Sequence, residues 1–120
     1  MPHTSKDAPF GPLHGLKVID AGNMIAGPLG ATMLADFGAE VIKLEQPQIG
    51  DSMRHWAPVK EGRSLWWKVL ARNKRLITLN LSSKRGQDLF RRLVASADIV
   101  VENYRPGTFE RWGLGYEDIS

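Results

Sequence analysis

The 120-residue chain contains no cysteine, which excludes disulfide scaffolds, thiolate metal sites and cysteine nucleophiles. It also lacks long apolar runs, since no stretch approaches the roughly 18 consecutive apolar residues that a membrane-spanning helix needs. The N-terminal segment MPHTSKDAPFGPLHG has no apolar core of the kind found in secretory signals. We therefore expect a cytoplasmic protein with no membrane partner.

Several familiar site motifs are missing as well. There is no G-x-G-x-x-G fingerprint, no Walker A loop and no G-x-S-x-G nucleophile elbow, and the acidic residues form no paired-carboxylate motif. His3, His14 and His55 have no partners at metal-ligand spacing. The net charge of +3 is too small to indicate nucleic acid, but it suits a small polyanionic ligand. We expect no metal ion, no nucleic-acid partner and no catalytic nucleophile within this chain.

What the sequence does contain is an alternation of short apolar strands and helices from Gly15 onwards. The predicted strands are 16–20, 39–45, 75–80 and 98–103. The predicted helices are 28–37, 65–70 and 84–96, with further helical turns within 106–112 and 116–120. This alternation indicates an α/β fold with an open, mainly parallel, Rossmann-like sheet and helices on both faces. Residues 1–14 are predicted to be a flexible lead-in, and 46–63 a long loop.

Local signals support the helices. Large apolar residues recur at helical spacing in the first of them: Leu29, Met33, Leu34 and Phe37. Ser64 can cap the second helix, and Ser82 or Ser83 the third. Of the adjacent Trp66 and Trp67, we expect one in the core and the other at a pocket or an interface.

The turn between the first strand and the first helix is bounded by Gly22 and Gly27. Open parallel sheets bind ligands at the carboxyl ends of their strands, where this turn lies. The free N–H groups and the dipole of the helix that follows favour a phosphate or another anion. Alternatively, the two glycines only make a tight strand-to-helix turn.

A second candidate site is the segment ENYRPG (102–107), which follows the fourth strand, together with Arg111. Asn103 can donate and accept hydrogen bonds, and Arg105 and Arg111 carry guanidinium groups suited to phosphate. In the alternative interpretation, Asn103 is a turn former and Arg111 is a solvated helix residue.

Longer blocks of sequence are more specific than these patterns. The blocks are GLKVID (15–20), AGP (26–28), LADFGAEVIKLE (34–45), NKR (73–75), ADIVVENYRPG (97–107) and LGY (114–116). In this collinear order the chain resembles the N-terminal part of the family III CoA-transferases, which include formyl-CoA transferase, carnitine CoA-transferase and α-methylacyl-CoA racemase. The resemblance implies that residues 15–120 form the N-terminal part of the family's large domain, incomplete at the C-terminus.

The resemblance implies an enzyme that moves CoA from an acyl-CoA thioester to a free carboxylic acid through a covalent intermediate on an aspartate. That aspartate is expected beyond Ser120, so this chain alone is expected to be inactive. The implied substrates are acyl-CoA and a carboxylic acid, with no tightly bound cofactor, and the implied assembly is an interlocked homodimer. Two alternatives remain open. One is a racemase-branch member, in which proton transfer α to the thioester replaces acyl exchange, and the other is a non-catalytic CoA-binding or interaction module.

Position in the matched blocks also implies which residues contact CoA. Backbone contacts are expected from Ile25 and Ala26, an adenine-side contact from Leu79, and nucleotide or phosphate contacts from Asn103, Tyr104, Arg105 and Arg111. Gln46 and Ser82 stand where relatives often carry basic residues. Part of the phosphate neutralisation is then either lost or supplied by Lys43, Lys84 or Arg85.

Overall fold

A computed structural model describes residues 10–120 of the chain. Its strands are β1 (Lys17–Asp20), β2 (Glu40–Glu45), β3 (Val59–Lys60), β4 (Arg63–Ser64), β5 (Lys74–Thr78) and β6 (Ile99–Val101). Its α-helices are α1 (Ala26–Asp36), α2 (Leu65–Leu70), α3 (Lys84–Val94), α4 (Thr108–Arg111) and α5 (Tyr116–Ile119). A 3-10 helix, Ser52–His55, lies in the loop after β2.

Four strands form one parallel sheet in the order β5-β2-β1-β6. The register pairs Ile19 with Ile42 on one side and with Val100 on the other. This order places the first strand in the interior and reverses the direction of winding between β1 and β6, as at the junction between the two halves of a Rossmann sheet. The predicted fold class is therefore confirmed. The predicted long loop also holds the small antiparallel hairpin β3–β4.

Both faces of the sheet are covered, each by its own apolar cluster. On one face, α1 packs over Val18 and Val41 through Ala31 and Ala35. The opposite face carries a cluster that contains residues of α3 and α4: Ile19, Leu44, Leu81, Phe90, Phe109 and Leu114. Burial of these side chains is the main favourable contribution to folding, at about 25 cal/mol per Å² of apolar surface.

Serine caps begin two of the helices where the sequence predicted them. The Ser64 Oγ accepts a hydrogen bond from the Trp67 amide at 3.4 Å, and α2 follows. Of the two candidates before α3, Ser83 is the cap, because its Oγ accepts from the Gly86 amide at 3.1 Å. Such caps satisfy N–H groups that have no partner within the helix.

The buried face of α1 differs from the apolar pattern that indicated the helix. Leu29, Met33 and Phe37 are 39%, 55% and 55% exposed. The face against the sheet is instead made of small or compact residues: Gly27, Pro28, Ala31, Thr32 and Ala35. Small side chains let the helix approach the strands closely, so the large apolar side chains lie on its outer surface.

Residues just before Gly15 contact the end of α1. The Leu13 amide donates to the Phe37 carbonyl at 3.0 Å, and Leu13 packs beside the α1 cluster. The remainder of the predicted lead-in, residues 1–9, lies outside the described residues. Within 10–120, no helix is long and apolar enough to cross a membrane.

Candidate functional site

A cleft of about 270 Å³ opens at the carboxyl ends of β1, β2 and β5. Leu79 and Tyr104, which the sequence assigned to the same ligand, both line it. Gln46 and Ser82, the two positions at which the resemblance led us to expect basic residues, line it as well. The structure therefore brings together residues that lie far apart in the sequence, at the edge where open α/β sheets bind ligands.

Tyr104 forms an aromatic wall of the cleft. Its ring packs against Phe109 and Trp112, with centroids 5.4 Å away in each case. Burial raises the pKa of Tyr104, and the carboxylates of Asp51 and Glu102 add to this effect. The phenol therefore stays protonated at neutral pH and can offer a ligand both a donor and an acceptor.

The first turn, Gly22–Gly27, is held by Asn103, which follows the neighbouring strand β6. The Asn103 Oδ1 accepts from the Asn23 amide at 2.8 Å, and its Nδ2 donates to the Asn23 carbonyl at 2.7 Å. A Cβ on Gly22 or Gly27 would lie 3.2 Å from Asn103 Oδ1, and the two glycines also approach each other closely. Glycine is thus needed here for close packing, which supports the tight-turn interpretation.

Beneath this turn lies a cluster of four charged side chains, all buried. The Lys43 Nζ is 3.0 Å from Asp51 and 3.6 Å from Asp20, and the Lys74 Nζ is 2.9 Å from Asp20. With two positive and two negative groups, the cluster is neutral. Each charge has an opposite partner, which is the condition under which burial of charge is tolerated.

The same cluster positions the backbone of the turn. Lys43 donates to the Gly22 carbonyl at 3.1 Å, and Lys74 donates to the Pro28 carbonyl at 2.7 Å. The Asp51 carboxylate accepts from the Met24 amide at 3.3 Å. Together with Asn103, these side chains hold the turn that carries Ile25 and Ala26.

This burial overturns one sequence-based expectation. Lys43 is only 1% exposed and is committed to Asp20, Asp51 and Gly22, so it is not available to neutralise a ligand phosphate. Lys84 and Arg85, the other two candidates, are exposed at the beginning of α3, directly after Ser82 of the cleft.

A further ion pair connects the end of β2 with the 3-10 helix. Both carboxylate oxygens of Glu45 accept from Arg54, at 2.7 Å each, and the Asp51 amide donates to the same carboxylate at 2.9 Å. Burial raises the pKa of Glu45, but the hydrogen bonds from Arg54 and Asp51 outweigh it and the net pKa is lowered. Glu45 lines the cleft as a carboxylate that is already fully paired.

The remaining predicted residues lie around the rim. Arg105 and Arg111 are exposed at the two ends of the segment that contains α4, and the Arg111 Nη2 donates to Thr108 Oγ1 at 3.2 Å. Ile25 and Ala26 begin α1 and are exposed. A small cavity of about 40 Å³, lined by Gly22, Asn23, Gln46 and Tyr104 among others, lies between the first turn and the cleft.

The sequence did not predict the buried cluster, and the expectation that one tryptophan of α2 lies in the core is wrong. A signal for the cluster was present, because Lys43 stands in a strand predicted to be buried on both faces and must have a carboxylate partner there. Neither tryptophan of α2 is in the core: Trp66 is 43% exposed, and Trp67 is half-buried beneath the Arg54 guanidinium at 3.9 Å. No group of three or more potential metal ligands occurs among residues 10–120.

These features define an α/β protein with part of a Rossmann-like sheet and a candidate ligand cleft at its strand ends. The family model of CoA-transferase family III matches residues 13–120, so the chain belongs to that family. As the sequence resemblance implied, it corresponds to an N-terminal portion of its relatives.

Curated relatives carry CoA-transferase names. Succinyl-CoA–D-citramalate CoA-transferase of Chloroflexus aurantiacus is 52% identical over 116 residues, a match that covers 96% of this chain and 29% of that protein. Acetyl-CoA:oxalate CoA-transferase of Acetobacter aceti is 39% identical over all 120 residues, which are 31% of its length. A CaiB/BaiF family protein of Brucella suis has a solved structure with a TM-score of 0.83 and 41% identity, covering 92% of this chain and 30% of that one. The chain thus spans less than a third of the length of these three relatives.

Proposed function

We propose that this chain supplies the CoA-binding part of an enzyme that moves CoA from an acyl-CoA thioester to a free carboxylic acid. The observation that carries the proposal is the cleft at the strand ends, where Leu79 and Tyr104 form apolar and aromatic walls. These walls suit the adenine end of CoA, and the exposed Arg105 and Arg111 suit its phosphates.

The first turn supplies the second part of the proposed site. Ile25 and Ala26 are exposed at the beginning of α1, and we propose that their backbone groups contact the CoA chain beyond the nucleotide. Asn103 acts on this contact indirectly, because both ends of its amide are bonded to Asn23. We therefore propose Asn103 as a residue that positions the turn.

The chemistry of transfer needs a nucleophile. We propose that it is an aspartate outside residues 1–120, because Asp20 and Asp51 are buried in ion pairs. Asp20 is 0% and Asp51 4% exposed, so neither carboxylate is accessible to a substrate. The names of the relatives favour transfer over the racemase branch. The homodimer, the cytoplasmic location and the absence of a tightly bound cofactor remain predictions.

A calorimetric titration of the 120-residue chain tests the site. We expect CoA to bind more tightly than pantetheine, which lacks the nucleotide and its phosphates. Replacing Arg105 and Arg111 by alanine should weaken CoA binding at least tenfold, since each hydrogen bond to a charged group contributes about 1.5–3 kcal/mol.

The matched control is Arg75→Ala with Arg92→Ala, which removes the same charge from exposed positions. It should leave the affinity for CoA nearly unchanged, and neither double variant should alter binding of pantetheine. Equal affinity of the Arg105/Arg111 variant and the unsubstituted chain for CoA would refute the assignment of the two arginines.

A further inference from the structure

A second and larger cavity lies away from the cleft, between the 3-10 helix, the β3–β4 hairpin and α2. We call it the basic groove; its volume is about 630 Å³, and its lining includes Arg54, His55, Arg63, Trp67, Lys68 and Arg72. Small-molecule sites typically enclose about 300–1,000 Å³. None of its lining residues, among those the structure describes, is acidic.

Two of the four cations in the groove are held in place by carboxylates outside its lining. Arg54 is bound by both oxygens of Glu45, and its guanidinium carbon lies 3.9 Å from the centre of the Trp67 ring. Arg72 is bound by both oxygens of Asp36, and its third nitrogen donates to the Val69 carbonyl. Arg54 keeps one terminal nitrogen, Nη1, without a partner in residues 10–120, so a pre-positioned donor remains.

The other two cations are free to bind a ligand. Arg63 on β4 and Lys68 on α2 take part in no side-chain hydrogen bond or ion pair within the part of the chain that the structure describes. With Arg54, they give the groove three cationic side chains that have donors to spare, drawn from three separate elements. Several cationic donors that line one cavity can bind the oxygens of one anion together, and charge-assisted hydrogen bonds are stronger than neutral ones.

The chemistry of the groove also limits the ligand. The Arg54 guanidinium lies 3.9 Å from the centre of the Trp67 ring, so the ring face beneath it is already occupied by a cation. Leu76 is the one large aliphatic side chain in the lining among the described residues. Four cationic side chains beside a single large aliphatic one suit a compact, strongly charged anion.

We propose that the basic groove binds a small dianion, a dicarboxylate or a phosphate, through Arg54, Arg63 and Lys68. This site is distinct from the cleft and does not depend on the proposed binding of CoA. An ion pair nevertheless connects the two linings, because Glu45 lines the cleft and its partner Arg54 lines the groove.

Calorimetry on the 120-residue chain, at constant ionic strength, tests this site with three probes: succinate, inorganic phosphate and the monoanion acetate. We expect at least one dianion to bind at least tenfold more tightly than acetate. Binding of succinate alone identifies a dicarboxylate site, and binding of phosphate alone a phosphate site. If neither dianion binds more tightly than acetate, the proposal is wrong.

The variant Arg63→Gln with Lys68→Gln should weaken dianion binding at least tenfold. Its matched control is Lys17→Gln with Arg92→Gln, which removes one lysine and one arginine charge from exposed positions elsewhere. An equal loss in both variants would mean that only net charge matters, and would overturn the site. The groove variant should keep the CoA affinity of the unsubstituted chain, so failure here and failure of the CoA site are separable.

Discussion

Replacement of Lys74 by methionine tests whether the buried cluster holds the first turn in place. The Lys74 side chain is fully buried, and its ammonium lies 2.9 Å from Asp20 and 2.7 Å from the Pro28 carbonyl. Methionine keeps most of the volume of the lysine side chain but removes its charge and both hydrogen bonds. Asp20 would retain only the more distant Lys43, at 3.6 Å, and the Gly22 amide.

The expected loss follows from this geometry. Removal of one partner from a buried ion pair typically costs about 3–5 kcal/mol. Because Lys43 still faces Asp20, we expect the lower end, about 3 kcal/mol in the free energy of unfolding. That is a large part of the roughly 5–15 kcal/mol that stabilises an ordinary domain. Lys17→Met, at an exposed position, should change stability by no more than about 0.5 kcal/mol.

Urea unfolding followed by circular dichroism measures this loss, and amide exchange at Asn23 and Met24 reports the turn itself. If Lys74→Met shows no cooperative transition, the double variant Asp20→Asn with Lys74→Met should recover part of it. The double variant leaves the neutral pair of Lys43 and Asp51, so it should be less damaging than the two single losses added together. A loss below about 1 kcal/mol, with unchanged exchange in the turn, would refute the reasoning.

Two further predictions concern the neighbours of the cleft. Asn103→Ala should lower the free energy of unfolding by about 1–3 kcal/mol, because two hydrogen bonds to Asn23 are lost. Asn103→Asp should not restore the lost stability, since a carboxylate cannot donate to the Asn23 carbonyl. Full stability of Asn103→Asp in urea unfolding would contradict this prediction. The pKa of Glu45 is lowered from its ordinary 4.5, so its contribution to stability is present above pH 4.5 and is lost as the pH falls below that value. From pH 6 down to about pH 3, the free energy of unfolding should therefore fall less in Glu45→Gln than in the unsubstituted chain. An equal fall in both proteins would contradict this role of Glu45.

The strands and helices were predictable because their signals are local. Ser64 and Ser83 cap the helices that follow them, and the apolar strands alternate with helices in the order that a parallel sheet requires. The face of α1 was not predictable in the same way. Periodicity follows the large apolar residues, whereas close packing on the sheet selects small ones such as Ala31 and Ala35. Leu29, Met33 and Phe37 consequently lie outside.

The candidate site could be predicted from the sequence only as separate residues. Leu79 and Tyr104 line one cleft, and their assignment to one ligand stays a prediction. The cluster beneath the turn consists of Asp20, Lys43, Asp51 and Lys74. Their proximity can be predicted only if the order of the strands in the sheet is known. Sequence patterns give no measure of such cross-strand distances. The role of the cluster in holding the first turn was therefore visible only in the structure.

The position of the cleft explains why this sheet lacks a dinucleotide fingerprint. In a Rossmann sheet the ligand occupies the crevice where the strand order reverses, here between β1 and β6. In this chain Asn103 fills that crevice with its two bonds to Asn23, and Gly22 and Gly27 pack against it. The open space lies over the ends of β2 and β5, where Leu79 and Tyr104 both line the cleft. The glycines therefore serve the packing of the protein itself, and in the proposed function only the nucleotide end of CoA lies beside the turn.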